Sequence, residues 1–421
     1  MSCTYFVLTR KANPLFSKHS NDLVEICADA LTAFSLVLSG ESGEDAEPAL
    51  TVLKRDKFSL VVEVRCDQHL TSTKRDSVPS NVQDVYVLKR VSEEMYAGSE
   101  ETAQVQNFLM PLSDSKRKVA GDGSFLFRQI LPGDKCAVWS LTRFVPNGPS
   151  FDWLDSSPSW TEAQSHSAGE ILALLHHQSH QNRANFASES FSKMTSVIAS
   201  IPEWLEQAFA KSCFTTVIDV GAANTFLSSA DQISVLEKIK QSIVEVETGI
   251  NSGLSKAVPC AEKLMIHGDF HPGNVLFRNE KAVCVIDWDY AHLEDPLLEL
   301  AYGLIMFSGK FGSTDHDFLD QEIANAFLSG YWLGCRSCGW SLNRAFGDES
   351  LNALTDQVEG DSDIAVQSIL LRPYIKLAAS LILLWALSKQ GLHHEHQAAI
   401  VLKAVRLVLS DHESLLSGER R

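Results

Sequence analysis

Basic residues are few in this chain relative to acidic ones. Its 421 residues include 36 Lys and Arg against 53 Asp and Glu, which gives a formal net charge of −17. Because nucleic-acid backbones are bound through clustered Lys and Arg, we expect no nucleic acid among its partners. The acidity is compatible with a cationic small-molecule substrate, and equally with solubility alone.

Long apolar runs and paired cysteine motifs are also missing. The longest apolar run, Leu377 to Leu387, has 11 residues and contains Ser380. A membrane-spanning helix needs about 20 residues, so we expect a buried helix here and no membrane partner. The nine cysteines are scattered, with a single C-x-x-C at Cys335 and Cys338, which is typical of thiols in a reducing compartment. Since the N-terminus has no basic region followed by an apolar run, we expect a cytoplasmic protein.

The most informative segment that is present runs from His267 to Asn274 (HGDFHPGN), and Val283 to Trp288 (VCVIDW) follows it. The apolar residues around these motifs predict three short strands, at 264–266, 274–277 and 282–286, joined by a turn at 278–281. This arrangement would place three polar side chains at the rim of a small hairpin, facing one cleft: Asp269, Asn274 and Asp287.

Phosphoryl transfer requires a set of this kind. One carboxylate holds the attacking hydroxyl, and an amide oxygen with a second carboxylate holds Mg²⁺ on the phosphates. We therefore predict Asp269 as the catalytic residue, with Asn274 and Asp287 as the metal ligands. His267, Asp269 and His271 could instead bind a transition metal in a hydrolase, but no further cluster in the sequence has a matching spacing.

These motifs carry a family resemblance. HGDFHPGN and IDWD, continued by Asp295 to Ala301 (DPLLELA), resemble the aminoglycoside phosphotransferase / choline kinase-like superfamily. The resemblance implies an α+β, bilobal, protein-kinase-like fold with a small antiparallel β N-lobe and a large, mostly helical C-lobe. It also implies ATP and Mg²⁺ as cofactors, with transfer of the γ-phosphate to a hydroxyl of a small molecule such as an amino alcohol, a sugar or an aminoglycoside.

A change of pattern after Val145 to Pro149 (VPNGP) marks the boundary between the two lobes. Strand patterns dominate before it and helical patterns after it, so we predict a nucleotide-binding lobe at 1–146 and a catalytic and substrate-binding lobe at 147–421. The predicted strands of the first lobe are 34–38, 49–53, 58–64, 84–91, 125–130 and 137–144, with a helix at 100–110.

A kinase-like site also needs a lysine on a central strand and an acidic partner on the next helix. We predict Lys89, in the strand before the 100–110 helix, with Glu101 as its partner and Glu100 as the rival. Lys54 is the competing lysine, but a strand follows it, which favours a hairpin. Two segments, 39–45 and 71–75, are alternative candidates for the loop that covers the phosphates. The sequence assigns no definite role to His271 or Asp289.

Two other functions use the same fold. A protein Ser/Thr kinase would need an extended activation segment, whereas seven residues separate Asp287 from Asp295 and no Ala-Pro-Glu follows. A nucleotide-binding pseudoenzyme would bind ATP without turnover, although all three predicted site residues are present.

Overall fold

We analysed a computed structural model of the chain, which describes residues 49–55, 59–66, 84–92, 125–131, 135–143, 160–186, 197–210, 229–248, 263–311, 319–340, 362–388 and 394–409. The chain divides into two compact units, which we call the N-terminal unit (Met1–Asn147 and Cys284–Asp289) and the C-terminal unit (Gly148–Val283 and Tyr290–Arg421). The functions assigned above to 1–146 and 147–421 stay a prediction.

The N-terminal unit contains a five-stranded antiparallel sheet. Its strands are β1 (Ala49–Arg55), β2 (Ser59–Cys66), β3 (Asp84–Ser92), β4 (Phe125–Leu131) and β5 (Lys135–Arg143), in the spatial order β1-β2-β3-β5-β4. Five of the six predicted strands are thus confirmed, and the sixth, with the predicted helix at 100–110, lies outside the described residues. Lys89 is on β3, the middle strand, opposite Val61 on β2 and Ser140 on β5. Lys54 is on the edge strand β1, in the predicted hairpin with β2.

The C-terminal unit is mostly helical. Its helices are α1 (Glu162–Gln181), α2 (Arg183–Phe186), α3 (Ile201–Ala210), α4 (Ser229–Thr248), α5 (Pro296–Ser308), α6 (Gln321–Cys338), α7 (Ser362–Ser388) and α8 (His394–Leu409). The unit also has four short strands around the motifs: β6 (Leu264–Ile266), β7 (Val275–Arg278), β8 (Lys281–Val285) and β9 (His292–Glu294). The first three agree with the predicted strands to within one residue at each end. β6 pairs with β9 and β7 with β8, and the end of β8 belongs to the N-terminal unit.

Side chains at the helix ends explain where the main helices begin. Thr161 and Gln164 form a reciprocal capping box at the start of α1, and Asp320 accepts two backbone N–H bonds at the start of α6. The pair Asp295 and Pro296 before an apolar segment predicts a helix cap, and Asp295 does cap α5, with Pro296 in the first turn, where its missing N–H costs nothing.

An aromatic cluster in the core of this unit joins the loop after β6 to α5 and α6. Phe270, Phe307 and Phe327 are completely buried and contact one another, with ring centroids 5.2 to 6.4 Å apart. Burial of each such ring contributes roughly 1.5–3 kcal/mol. α1 and α6 approach so closely that a Cβ added to Gly330 would lie 1.8 Å from the carbonyl oxygen of His166, so the two backbones pack against each other.

Three local patterns can be compared with the structure. The pair His176 and His177 after Leu-Ala-Leu-Leu predicts a packing feature at the end of a helix, which is wrong for the helix end, because α1 continues to Gln181. His394 begins α8, so the predicted solvated turn at 393–396 is helical from His394 on. Pro373 predicts a kink or a break in the helical segment 364–387. α7 runs through it without a break, because burial of the apolar residues on both sides of Pro373 offsets its cost of about 3 kcal/mol.

The apolar part of α7 resembles a membrane-spanning helix in length and composition. Among the described residues, one helix segment, Leu370–Leu387, is long and apolar enough to span a bilayer, with mean hydropathy 1.6. Since 67% of that segment is buried in the protein, the predicted buried helix is confirmed.

Asp295 should make the stability of this unit depend on pH. Burial raises the pKa of its carboxyl to about 6, against the bond from Tyr374. The folded state therefore holds the proton more tightly than the unfolded state, and stability falls as the pH rises from about 4 to about 6, by about 3 kcal/mol in all. Asp295→Asn keeps a capping oxygen but does not titrate. In urea unfolding between pH 4 and 7, we expect the variant to gain up to about that amount relative to the wild type, whereas parallel pH profiles would contradict the prediction.

Candidate active site

The strand β6 leads directly into the segment from His267 to Asn274, which we call the catalytic loop after its predicted role. All three β6 residues are buried and pair with β9. The chain then turns at Gly268, whose φ of +80° lies in the left-handed region. A Cβ at this position would lie 2.1 Å from the carbonyl oxygen of Tyr290. The turn therefore requires glycine, and it directs the next residue, Asp269, out of the core.

The carboxylate of Asp269 is held through both of its oxygens. Asn274 Nδ2 donates to Oδ2 at 3.1 Å, and Tyr302 Oη donates to Oδ1 at 3.1 Å. His271 Nε2 lies 3.5 Å from Oδ2, and 26% of the Asp269 side chain remains exposed. The structure thus brings together Asp269 and Asn274, two of the predicted site residues.

The surroundings of Asp269 favour its ionised form. Burial raises the pKa of its carboxyl, but the hydrogen bonds from His271 and Tyr302 and the electrostatic influence of His271 and His267 bring the net pKa below its usual value. Asp269 is consequently a carboxylate at neutral pH, able to accept a hydrogen bond from a hydroxyl.

Asn274 presents its amide oxygen for a further ligand. It ends the short helical turn Pro272–Asn274 and is 6% exposed. Its Nδ2 donates to the carbonyl oxygen of Asp269 at 2.9 Å as well as to the carboxylate. Because both partners are acceptors, the NH₂ group must face Asp269, and Oδ1 is the atom suited to bind a cation.

The two histidines of the loop act as hydrogen-bond braces. His267 Nδ1 accepts the N–H of Asp269 at 3.2 Å, and His271 Nδ1 accepts the N–H of Gly273 at 3.0 Å. A histidine that opens such a loop is expected to brace it by hydrogen bonding and not to titrate in the reaction, and the bond to Asp269 agrees with this role for His267. Since Nδ1 of His271 is an acceptor, its Nε2 carries the proton and faces Asp269.

A buried polar chain lies behind the loop. Glu299 on α5 accepts the N–H of Gly268 at 2.7 Å and contacts His176 Nε2 at 3.0 Å, and His176 Nδ1 contacts Tyr331 Oη at 2.8 Å. Burial raises the pKa of Glu299, but His176 and His267 bring it below its usual value. This chain ties the loop to α1, α5 and α6.

Sequence reasoning missed Glu299 and Tyr302. The signal for Glu299 was an acid between two apolar residues in DPLLELA, which indicates a buried acid with a specific partner. Tyr302 carried no such signal, because a tyrosine in an apolar helix is ordinarily a packing residue.

A second contact joins two predicted site residues within the N-terminal unit. Lys89 Nζ lies 2.5 Å from Asp287 Oδ1, with 20% of the lysine and 41% of the aspartate side chain exposed. Asp287 has φ of +65°, a conformation uncommon outside glycine and often found at functional sites. The buried indole of Trp288 donates to the carbonyl oxygen of Val285 and fixes the turn. Glu101 and the side chain of Asp289 lie outside the described residues.

The donor chemistry of Asn274 and Asp287 fits Mg²⁺. Their amide and carboxylate oxygens are the hard ligands that this ion prefers, and Mg²⁺ in phosphoryl-transfer sites is held by one or two such side chains together with substrate phosphates. In the part of the chain that the structure describes, no group of three or more His, Cys, Asp or Glu could hold a metal ion.

A match to a known family covers the part of the chain that contains Asp269, Asn274 and Asp287. A family model described as the phosphotransferase enzyme family matches residues 126–336, whereas a comparison with curated proteins finds no match.

Two solved structures have the same fold. A candidate aminoglycoside phosphotransferase from Ralstonia eutropha is 13% identical, with a TM-score of 0.50 over 91% of this chain and 96% of its own. An ethanolamine kinase from Plasmodium vivax is 11% identical, with a TM-score of 0.50 over 95% of this chain and 98% of its own. The predicted α+β, protein-kinase-like fold class is confirmed.

Proposed function

The chain belongs to the phosphotransferase enzyme family, and we propose that it transfers the γ-phosphate of ATP to a hydroxyl group of a small molecule. The observation that supports this most directly is the Asp269 carboxylate, which is held by Asn274 and kept ionised at the end of a buried strand. Asp269, Asn274 and Asp287 all lie within the residues that the family model matches, and Lys89 precedes them.

Asp269 would bind the acceptor hydroxyl and receive its proton. A carboxyl whose pKa is below the usual value is a weak base, so its contribution would come mainly from orientation. Holding the hydroxyl oxygen in line with the phosphorus is worth several powers of ten in rate, because the reactants no longer lose their freedom of motion in the transition state. A loose phosphoryl-transfer transition state needs little proton removal early in the reaction.

Lys89, Asn274 and Asp287 would hold the nucleotide and its metal. The Lys89 ammonium would contact the phosphates, while Asn274 Oδ1 and the Asp287 carboxylate would bind Mg²⁺, which neutralises charge on the phosphate oxygens. Lys89 and Asp287 contact each other within the N-terminal unit. This pairing supports the proposal, since it places the ammonium that would contact the phosphates beside the carboxylate that would hold the metal.

The acceptor class is proposed from the family and from the charge of the chain. Relatives with this fold include a candidate aminoglycoside phosphotransferase and an ethanolamine kinase, and both names denote amine-bearing alcohols or sugars. The net charge of −17 would favour encounter with cationic acceptors of this kind. We therefore propose an amino alcohol, an amino sugar or an aminoglycoside-like compound.

A panel assay tests the function. ATP consumption would be measured with Mg²⁺ and amino alcohols, sugars, aminoglycosides and peptides in turn, with Asp269→Asn as the blank. Transfer to a small hydroxyl compound that is lost in the variant is the expected result. Transfer to peptides alone would overturn the proposal in favour of a protein kinase, and ATP binding without turnover on any acceptor would indicate a pseudoenzyme.

Asp287→Asn tests the metal role. Asn tolerates the left-handed conformation of this position, so the substitution removes the charge with little backbone strain. We expect the affinity for ATP in the presence of Mg²⁺ to fall by at least about tenfold, because loss of an anionic ligand weakens Mg²⁺ binding. The affinity for ATP in EDTA should change much less. Calorimetric titration under both conditions measures the difference, and an equal affinity of wild type and variant for Mg·ATP would exclude Asp287 as a ligand.

A further inference from the structure

Tyr302 contacts the predicted catalytic carboxylate although it belongs to no motif. It lies in the middle of α5, 33 residues after Asp269, and its hydroxyl donates to Asp269 Oδ1 at 3.1 Å. The side chain is only partly buried overall. Neither the family match nor the spacing of the motifs assigns it a role.

The register of α5 explains how Tyr302 reaches this position. Glu299 and Tyr302 are three residues apart and therefore lie on the same face of the helix. Glu299 accepts the N–H of Gly268, and Tyr302 donates to the carboxylate of Asp269. One face of a helix thus holds two consecutive residues of the catalytic loop, and α5 itself is anchored by the Asp295 cap and by the buried Phe307.

Donors on both oxygens are needed to fix a carboxylate. The terminal torsion of an Asp side chain is broad, so bonds to a single oxygen leave the group free to rotate. Asn274 and His271 both contact Oδ2. Among the described residues, the one hydrogen bond shown for Oδ1 comes from Tyr302. Loss of this bond would leave the Asp269 carboxylate free to rotate about its terminal torsion.

We propose that Tyr302 is a positioning residue for phosphoryl transfer: its hydroxyl fixes the Asp269 carboxylate in the orientation that receives the acceptor hydroxyl. The inference rests on the proposed function. Each carboxylate oxygen has two lone pairs, so Oδ1 can accept from Tyr302 and from the acceptor at the same time.

The proton of the acceptor goes to Asp269 and not to Tyr302. The acceptor oxygen forms its bond to the γ-phosphorus as the bond from that phosphorus to the β–γ bridging oxygen breaks, and ADP leaves. Tyr302 keeps its own proton, since burial and the negative charge of Asp269 raise the pKa of its phenol well above the usual value. Its part is therefore geometric.

The kinetic test compares two tyrosines that donate to aspartates. Tyr302→Phe removes the bond to Asp269, and Tyr374→Phe removes the bond from Tyr374 Oη to Asp295 Oδ2, 2.5 Å long, as a matched control. We expect Tyr302→Phe to lower kcat by about 10- to 100-fold, the usual effect of deleting a hydrogen bond to a charged group. KM for ATP should stay within about twofold. Tyr374→Phe should lower the stability and leave kcat of the folded enzyme within about twofold.

A merely structural Tyr302 would give a different result. Its substitution would lower the unfolding midpoint with kcat unchanged, as in the control, and that outcome would overturn the proposal. Equal losses of kcat in the two variants would also overturn it, because the effect would then not be specific to Asp269.

A double-mutant cycle tests whether Tyr302 and Asp269 interact, without any measurement of activity. The unfolding equilibria of Tyr302→Phe, Asp269→Ala and the double variant would be compared with that of the wild type. A coupling of about threefold or more in the unfolding equilibrium constant is expected for a bond to a carboxylate, and additive effects would refute the contact. If the wild type transferred no phosphate to any acceptor, the proposed function would fail. The cycle would still report whether Tyr302 and Asp269 contact each other.

Discussion

Replacement of Asp269 by Asn is expected to lower phosphoryl transfer by about a thousandfold or more while ATP binding persists. The variant keeps the shape of the side chain but removes the charge that, in the proposed function, receives the proton and orients the hydroxyl. Effects of a positioned general base of about 10²–10⁴-fold are usual. The contact with Asn274 can survive through the amide oxygen, so the metal side of the site should be little disturbed.

The measurement is single-turnover transfer with a confirmed acceptor, together with calorimetric binding of Mg·ATP. Asp320→Asn is a matched control, because Asp320 caps α6 and takes no part in the site, and Asn is an equally good capping residue. The control should retain the wild-type rate. A wild-type rate in Asp269→Asn would remove Asp269 from the mechanism, and a loss of ATP binding in that variant would show that its effect is not confined to the acceptor.

The second large effect is a loss of protein stability, which we expect for Gly268→Ala. An L-residue at φ of +80° costs about 1–2 kcal/mol. In addition, the new Cβ would lie 2.1 Å from the carbonyl oxygen of Tyr290. A backbone atom cannot move aside as a flexible side chain can, so the loop or the chain before β9 must shift, which also weakens the bond from the Gly268 N–H to Glu299. We expect a loss of roughly 3 kcal/mol or more in the free energy of unfolding.

Gly339→Ala separates the conformational penalty of a positive φ from the steric cost of the close approach to Tyr290. Gly339 has φ of +68° at the end of α6, but a Cβ added there meets no atom within 4 Å. It should therefore cost about 1 kcal/mol, the conformational penalty alone. Urea unfolding of both variants measures the difference, and equal losses would show that the close approach to Tyr290 is relieved at no cost. Any folded Gly268→Ala protein should also be about a hundredfold less active, because a displacement of Asp269 by about 1 Å misaligns the acceptor.

Much of the site was predictable because its parts are close together in the chain. Asp269 and Asn274 are five residues apart in one loop, so their contact follows from local geometry once the strands on either side are recognised. The Asp295 cap followed from the Asp-Pro pair before an apolar helix. The choice of Lys89 over Lys54 rested on which strand a helix follows, and the structure has Lys89 on the middle strand with Asp287 beside it.

Other predictions failed where packing overcame local preference. Pro373 ordinarily ends a helix, but α7 continues through it because most of the described residues on either side are buried. His176 had been assigned to packing at a helix end, yet it lies inside α1 and contacts Glu299 and Tyr331. Periodicity indicates which face of a helix is buried, but it carries no information about which polar group a buried histidine meets.

The residue order of the motif was sufficient to predict phosphoryl transfer, since two acids and an amide at these spacings meet the chemical needs of that reaction. The fold added what depends on contacts across the chain. Tyr302 reaches Asp269, and Glu299 reaches Gly268, because the packing of α5 against the catalytic loop selects one face of that helix. That selection depends on how Phe270, Phe307 and Phe327 fill the space between the elements, and side-chain packing of this kind is a property of the assembled core and not of any one segment.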